Sequence, residues 1–298
     1  MARVSRQTIH EDQGGYHIIS RITGQQFLMD AQGKDYFVNV LHLLCKAYFI
    51  ELHAYCVMDN HFHVLVTMKQ EEAVKAGAGV LLEKLNTLRN FRGLGKSNTL
   101  RDEKIDKIRE RLGSISRFVQ DLKQEYSRWF NKKHKRTGYL WGDRFRGVLI
   151  SHGRAQLACA AYVEMNPVRA GVVKEPEQYP WSSSGLIALD SERANEVLTP
   201  VYAVQEQGEA FENYREFVRS VMDEENEQAK ETVKRFGLQD LDLWMRNPCF
   251  SQGCVLGDST IVEQYRENTG RRQRQISSLF GIDGLGVTRV LHRGYGFP

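Results

Sequence analysis

The sequence predicts an α+β protein in which helices pack on an antiparallel sheet, and three observations lead there. Strand-like and helix-like segments follow one another in the order β-α-β-β-α-β-α. Two of the strand-like runs, "IELHAYCVM" and "HFHVLVTM", are separated only by Asp59-Asn60, a turn dipeptide suited to a tight hairpin. The helix-like segments carry apolar residues on one stripe, as helices packed on a sheet do. Hairpins and split crossovers do not produce a parallel sheet, so the antiparallel arrangement follows.

The first strand is "GGYHIISRITG" (14–24), β-branched and aromatic behind a glycine pair. Helical spacing in "KDYFVNVLHLLCKAYF" (34–49) predicts the first helix. Residues 69–113 are charged and interrupted by Gly77, Gly79, Gly93, Gly95 and Gly113, which predicts an exposed insertion of one or two helices. Behind a Ser114 N-cap, Ile115, Phe118, Val119, Leu122, Tyr126, Trp129 and Phe130 form the stripe of a long packed helix. "GYLWGDRFRGVLI" (138–150) reads as a strand, and "RAQLACAAYVEMN" (154–166) as a helix stopped by "NPVRAG". Residues 1–190 are expected to form the main domain. A smaller, mainly helical region is expected over 191–298, with helices near 209–236 and 258–268 and a possible DNA-binding role.

Of the 298 residues, 41% are apolar and 10% aromatic, enough to build a core. No apolar run is long enough for a membrane span, and the N-terminal residues lack the apolar centre of a signal peptide, so a cytoplasmic location is expected. Five scattered cysteines without CxxC spacing read as buried thiols. The net charge of +4 is too small to imply a nucleic-acid partner by itself, which directs attention to local clustering.

On a strand, residues two apart face the same side, so His61 and His63 project together while Phe62, Val64 and Val66 face the other way. Two adjacent imidazoles are half of a metal site, or else two histidines satisfied by hydrogen bonds at a sheet surface. Tyr162 and Asn166 are four apart in "AYVEMNPVRAG", on one helix face, so a phenol and an amide oxygen can converge. Asn166 offers a hard oxygen suited to magnesium or manganese. A phenol is a poor nucleophile near its ordinary pKa of about 10, and a metal that polarises and orients a phosphate makes its attack feasible.

His61-Phe62-His63 together with Tyr162 in "YVEMNPVRAG" closely resembles the single-tyrosine HUH transposases, particularly the REP-associated tyrosine transposases and their insertion-sequence relatives. The segments "GGYHIISRITG", "LWGDRFRGVLI" and "VVKEPEQYPWSSSG" resemble that family in the same order, so the likeness covers about residues 10–190. It implies a ferredoxin-like antiparallel sheet, the HUH nuclease fold, with His61, His63 and Asn166 at the positions that bind a divalent ion, Mg2+ or Mn2+, and Tyr162 at the nucleophile position. It further implies cleavage of single-stranded DNA at a hairpin-bearing end through a 5′-phosphotyrosine, by a monomer or homodimer that is nucleoid-associated when bound to DNA. The insertion at 69–113 and the region after 190 exceed the minimal family core.

Residues 123–146 hold eight Lys or Arg against two acids, interleaved with Trp129, Tyr139 and Trp141. Arg128, Lys132, Lys133, Arg136, Arg144 and Arg146 are the candidate DNA contacts, since phosphates meet cations and unpaired bases stack on aromatic faces. The alternative is a solvated helix end above ordinary core aromatics. Arg271, Arg272 and Arg274 form a second basic cluster. Tyr126 is the rival nucleophile, assigned to the core by its place on the apolar stripe, and His17 and His53 read as ordinary hydrogen-bonded strand histidines. Two other functional classes compete with the enzyme: a domesticated hairpin-DNA binder, which the intact His61, His63, Asn166 and Tyr162 argue against, and an HxH metallohydrolase, whose repeated β-α units are missing.

Overall fold

The computed structural model describes residues 9–12, 14–201, 210–221, 226–235, 238, 254–258, 274–276 and 285–289. The expected helix near 258–268 lies outside them from residue 259 on, as do Arg271 and Arg272 of the second basic cluster. The chain divides into two compact units. One holds the residues up to His17, Arg146–Tyr162 and the described residues from Pro200 on; the other holds Ile18–Phe145 and Val163–Thr199. Among the described residues no helix is long and apolar enough to cross a membrane.

The second unit takes in the end of β1 (Gly14–Arg21), then α1 (Ala31–Ala47), β2 (Ile50–Val57) and β3 (His61–Met68). Asp30 caps α1 by accepting from Gly33 N at 2.7 Å. The strands β2 and β3 form the expected antiparallel hairpin, with Val57 opposite Phe62 and Cys56 opposite His63. The register shifts between Leu52 and Ala54, where His53 is the extra residue. Phe62 is fully buried, with its ring centroid 4.8 Å from that of Phe37 on α1 and 5.4 Å from that of Trp141. Burial of such a ring contributes about 1.5–3 kcal/mol, which makes a one-residue slip of β3 costly.

The hairpin turn departs from the usual two-residue pattern. Met58 N donates to His61 O at 2.8 Å, yet neither Asp59 nor Asn60 has a positive φ. Outside contacts hold this turn: Met29 N donates to Asp59 O at 2.9 Å and Ile22 N to Asn60 O at 2.8 Å.

The insertion is more ordered than its glycines suggest. It forms three helices, α2 (Gln70–Lys75), α3 (Ala78–Phe91) and α4 (Asp102–Leu112). Leu81, Leu88 and Leu112 are buried, and Lys84 Nζ donates to Lys46 O and Tyr48 O at the end of α1. The long helix α5 (Ile115–Lys133) buries the predicted stripe except Trp129, which is half-buried, and also buries Asp121 and Glu125. Those carboxylates receive Arg111 Nη2 at 2.6 Å and Arg92 Nε at 2.7 Å, and Tyr48 Oη donates to Asp121 at 2.6 Å. Charge pairing, invisible to an apolar pattern, thus fastens the insertion to α5.

The strand expected over 138–150 is shorter, β4 (Arg146–Ser151), and Trp141 makes only an isolated bridge to Ile22. The helix expected over 154–166 is α6 (Arg154–Glu164), followed by the short α7 (Asn166–Arg169), α8 (Ser183–Leu189) and α9 (Ser191–Val197). Within the second unit, Glu164 is fully buried and satisfied by α8: Ser183 Oγ donates to it at 2.5 Å and Ser184 N at 2.9 Å. A carboxylate at a helix N-terminus complements the unpaired amides there.

In the first unit, α6 is buried all round through Ala155, Leu157, Ala158, Cys159, Ala160 and Ala161. Beyond residue 200 come α10 (Ala210–Ser220), α11 (Glu227–Arg235) and three strands, β5 (Cys254–Asp258), β6 (Arg274–Ile276) and β7 (Leu285–Arg289). Strands therefore accompany helices where mainly helix is expected, because a run as short as "CVLGD" has no period to read. In this unit β5 pairs in parallel with β4 and antiparallel with β7, which pairs antiparallel with β6. Glycine is required at residue 14, where a Cβ would lie 2.0 Å from Ile150 O.

Candidate active site

The hairpin brings His61 and His63 side by side. Their ring centroids are 5.0 Å apart and the planes 77° from parallel. His63 is 3% exposed, so it does not lie on an open sheet surface, whereas His61 at the turn end is only partly buried. Burial, reinforced by the Arg21 guanidinium and opposed by Asp59, pushes the His61 pKa down to about 4. A neutral imidazole is the form that ligates metal.

The protonation of His61 follows from its neighbours. Asn60 Nδ2 donates to Gln25 O at 3.1 Å, which turns the amide oxygen toward His61. That oxygen lies 2.6 Å from His61 Nδ1 and can only accept, so Nδ1 carries the proton and Nε2 keeps its lone pair. Among the described residues Nε2 makes no hydrogen bond. In metal sites generally, a ligating histidine donates its other ring N–H to an oxygen acceptor.

Tyr162 ends its segment of the first unit and is 8% exposed. Within that unit the ring of His17 stands edge-on to it, with centroids 5.9 Å apart at 76°. Asn166, in the second unit, opens α7 and donates Nδ2 to Val163 O at 3.2 Å. The two residues are not on one continuous helix, because α6 ends at Glu164 before α7 begins. The rival Tyr126 is fully buried among Phe37, Trp129, Phe130 and Trp141, and burial raises its hydroxyl pKa well above the ordinary value.

The basic residues divide by what they touch. Arg128 pairs with Glu125 at 3.0 Å, and Lys133 pairs with Asp30 at 2.8 Å while lying over the Trp129 ring. Lys132, Arg136 and Arg144 are exposed and pair with no carboxylate among the described residues. Arg136 stacks on Phe130 at 5.6 Å. Arg146, in the first unit, is also exposed.

Sequence reasoning missed the second role of Asn60 and the burial of Glu164, and it set His17 aside as an ordinary strand histidine. Asn60 was visible only as a turn former, and its second role depends on Gln25. His17 lies far from Tyr162 in the chain, and Glu164 looks like any helix glutamate until α8 packs against it.

Fold and site together define an α+β chain whose hairpin strand carries two side-by-side histidines. Residues 11–83, which include both histidines but neither Tyr162 nor Asn166, match the family described as "Transposase IS200 like". That match bears out the resemblance to the insertion-sequence transposases over this segment. Among solved structures, a REP-associated tyrosine transposase bound to a REP hairpin is similar at 14% identity over 67% of this chain and 89% of that one, with a TM-score of 0.41. No curated protein matches the chain.

Proposed function

We propose that the protein is a metal-dependent single-stranded DNA endonuclease and strand transferase acting at hairpin-bearing DNA. The observation that supports this most is the His61–His63 pair, with the His61 tautomer set by Asn60, on a segment that matches the IS200-like transposases. In this reading His61, His63 and the Asn166 amide oxygen would hold a magnesium or manganese ion. When bound, the ion would polarise and orient the scissile phosphate.

Tyr162 is the nucleophile. Its oxygen forms a bond to phosphorus, the bond from phosphorus to the 3′ oxygen breaks, the phenol proton passes to solvent, and the leaving oxygen takes a proton to become a 3′ hydroxyl. The 5′ phosphate stays on the tyrosine until a 3′ hydroxyl of another strand attacks and releases it, which reverses the balance. Lys132, Arg136 and Arg144 hold phosphates along the strand, and Arg128, Lys133 and Arg146 add to the positive field.

Tyr162→Phe keeps the ring and removes only the attacking atom. With a hairpin substrate carrying a labelled 5′ phosphate beyond the cut, wild type should give a denaturation-resistant adduct and Tyr162→Phe none, although it binds the hairpin as well. An adduct on the Phe variant, or none on wild type with any hairpin-flanked single strand, refutes the mechanism. The second reading, a hairpin binder without cleavage, predicts tight binding with no adduct from either protein.

A further inference from the structure

A cavity of about 570 Å³ opens beside the β2–β3 turn in the second unit. Phe27, Lys34, Asp59, Phe130, Arg136 and Trp181 contribute to its wall. The volume lies in the range of sites that enclose a small ligand.

The wall combines two chemistries. The first is aromatic. Phe27 is 77% exposed, a large ring left in water on the loop before α1. Trp181, from the "YPWSSSG" stretch, is held in place: its indole donates to Asp35 at 2.8 Å, and the Lys34 ammonium lies 4.1 Å from the ring centroid. The second is charged. Lys34 is nearly buried, yet its ammonium is secured by Asp59 at 2.6 Å and Tyr179 Oη at 3.2 Å. The Asp59 side chain is 52% exposed, so its carboxylate offers an acceptor at the cavity wall. Asp30 at the rim is answered by Lys133, and Arg136 has no carboxylate partner among the described residues, so the rim favours an anion.

A free phosphate has no use for the two aromatic rings, and a hydrocarbon ligand has none for the charges. A nucleotide uses both: a flat base for the rings, a base-edge amino group for the exposed Asp59 carboxylate, and a phosphate for Arg136. Position agrees, because Asp59 is two residues before His61 and their Cα atoms lie within about 7 Å. We propose that this cavity receives one unpaired nucleotide of the DNA strand next to the histidine pair, its base against Phe27 and Trp181 and its phosphate on Arg136. The proposal rests on the DNA-acting reading above and adds a site for the strand outside the hairpin.

The test uses fluorescence anisotropy with the full chain and two labelled hairpins, one blunt and one with single-stranded overhangs. Phe27→Ala changes an exposed side chain, and its fold is checked by circular dichroism. It should weaken binding of the overhang hairpin about tenfold, the scale of one lost base stack, and leave the blunt hairpin unchanged. Arg136→Gln should lower the log–log salt slope on the overhang substrate by about 0.7, one phosphate on a single strand. Wild-type affinity of Phe27→Ala for the overhang hairpin, or equal weakening on both hairpins, overturns the nucleotide site while leaving the DNA-acting reading intact. Failure of wild type to bind either hairpin sinks that reading, and this site with it.

Discussion

The two ends of the β2–β3 hairpin carry the same residue type in opposite circumstances. At the bulged end, His53 has both ring nitrogens engaged, Nδ1 by Thr199 O at 2.8 Å and Nε2 by Thr67 Oγ1 at 2.9 Å. At the turn end, His61 has Nδ1 engaged by Asn60, and Nε2 makes no hydrogen bond among the described residues. A histidine with both nitrogens engaged is a structural strut. One with a fixed tautomer and a nitrogen outside any hydrogen bond keeps a lone pair, the feature on which the proposed ligand role rests.

The largest effect that can break this contrast is at the turn end. His61→Ala should abolish manganese binding, measured by calorimetry or electron paramagnetic resonance, together with DNA cleavage, and the fold should survive because the side chain is only partly buried. Undiminished cleavage in excess chelator would remove the metal from the mechanism altogether.

Asn60→Ala sharpens the contrast, because it leaves both histidines in place and frees the His61 ring. Manganese affinity should fall about 10- to 100-fold, the usual cost of losing an outer-shell partner. Asn60→Asp, which keeps an acceptor oxygen for Nδ1, should restore most of it. If alanine binds metal as tightly as wild type, the tautomer is set by something other than this amide.

At the bulged end the expected loss is one of stability. His53→Ala leaves Thr67 Oγ1 and Thr199 O without their histidine partner, a cost of about 1–3 kcal/mol read from chemical denaturation. Manganese affinity should not change. A matching loss of metal binding would mean that the two ends do not act independently.

The smallest effect involves a third histidine. His42 on α1 is buried, and desolvation, with lesser contributions from Arg193 and Lys46, lowers its pKa to about 4. The unfolded chain binds the proton near pH 6.5 and the folded chain does not, so this contribution is complete above about pH 6.5 and is lost as pH falls toward 4. His42→Leu should flatten the pH dependence of the melting temperature over that window. An unchanged profile would assign the acid sensitivity to other groups.

The sequence by itself determined the pairing of His61 with His63, because strand alternation is local, and it placed the hairpin turn at Asp59-Asn60, where contacts from Met29 and Ile22 then hold it. It also determined the stripe of α5 and the placing of Tyr126 in the core, since helical periodicity reads burial directly. Only the tertiary structure decided what each histidine touches. His53 became a strut through Thr199, His61 acquired its tautomer from an amide anchored by Gln25, and His17 met Tyr162 across more than a hundred residues of chain. The insertion likewise looked loose from its glycines, and Arg92 and Arg111 fastened it to two buried carboxylates on α5. Periodicity encodes which side of an element faces inward. Hydrogen-bond and ion-pair partners come from distant segments, and no local pattern names them in advance.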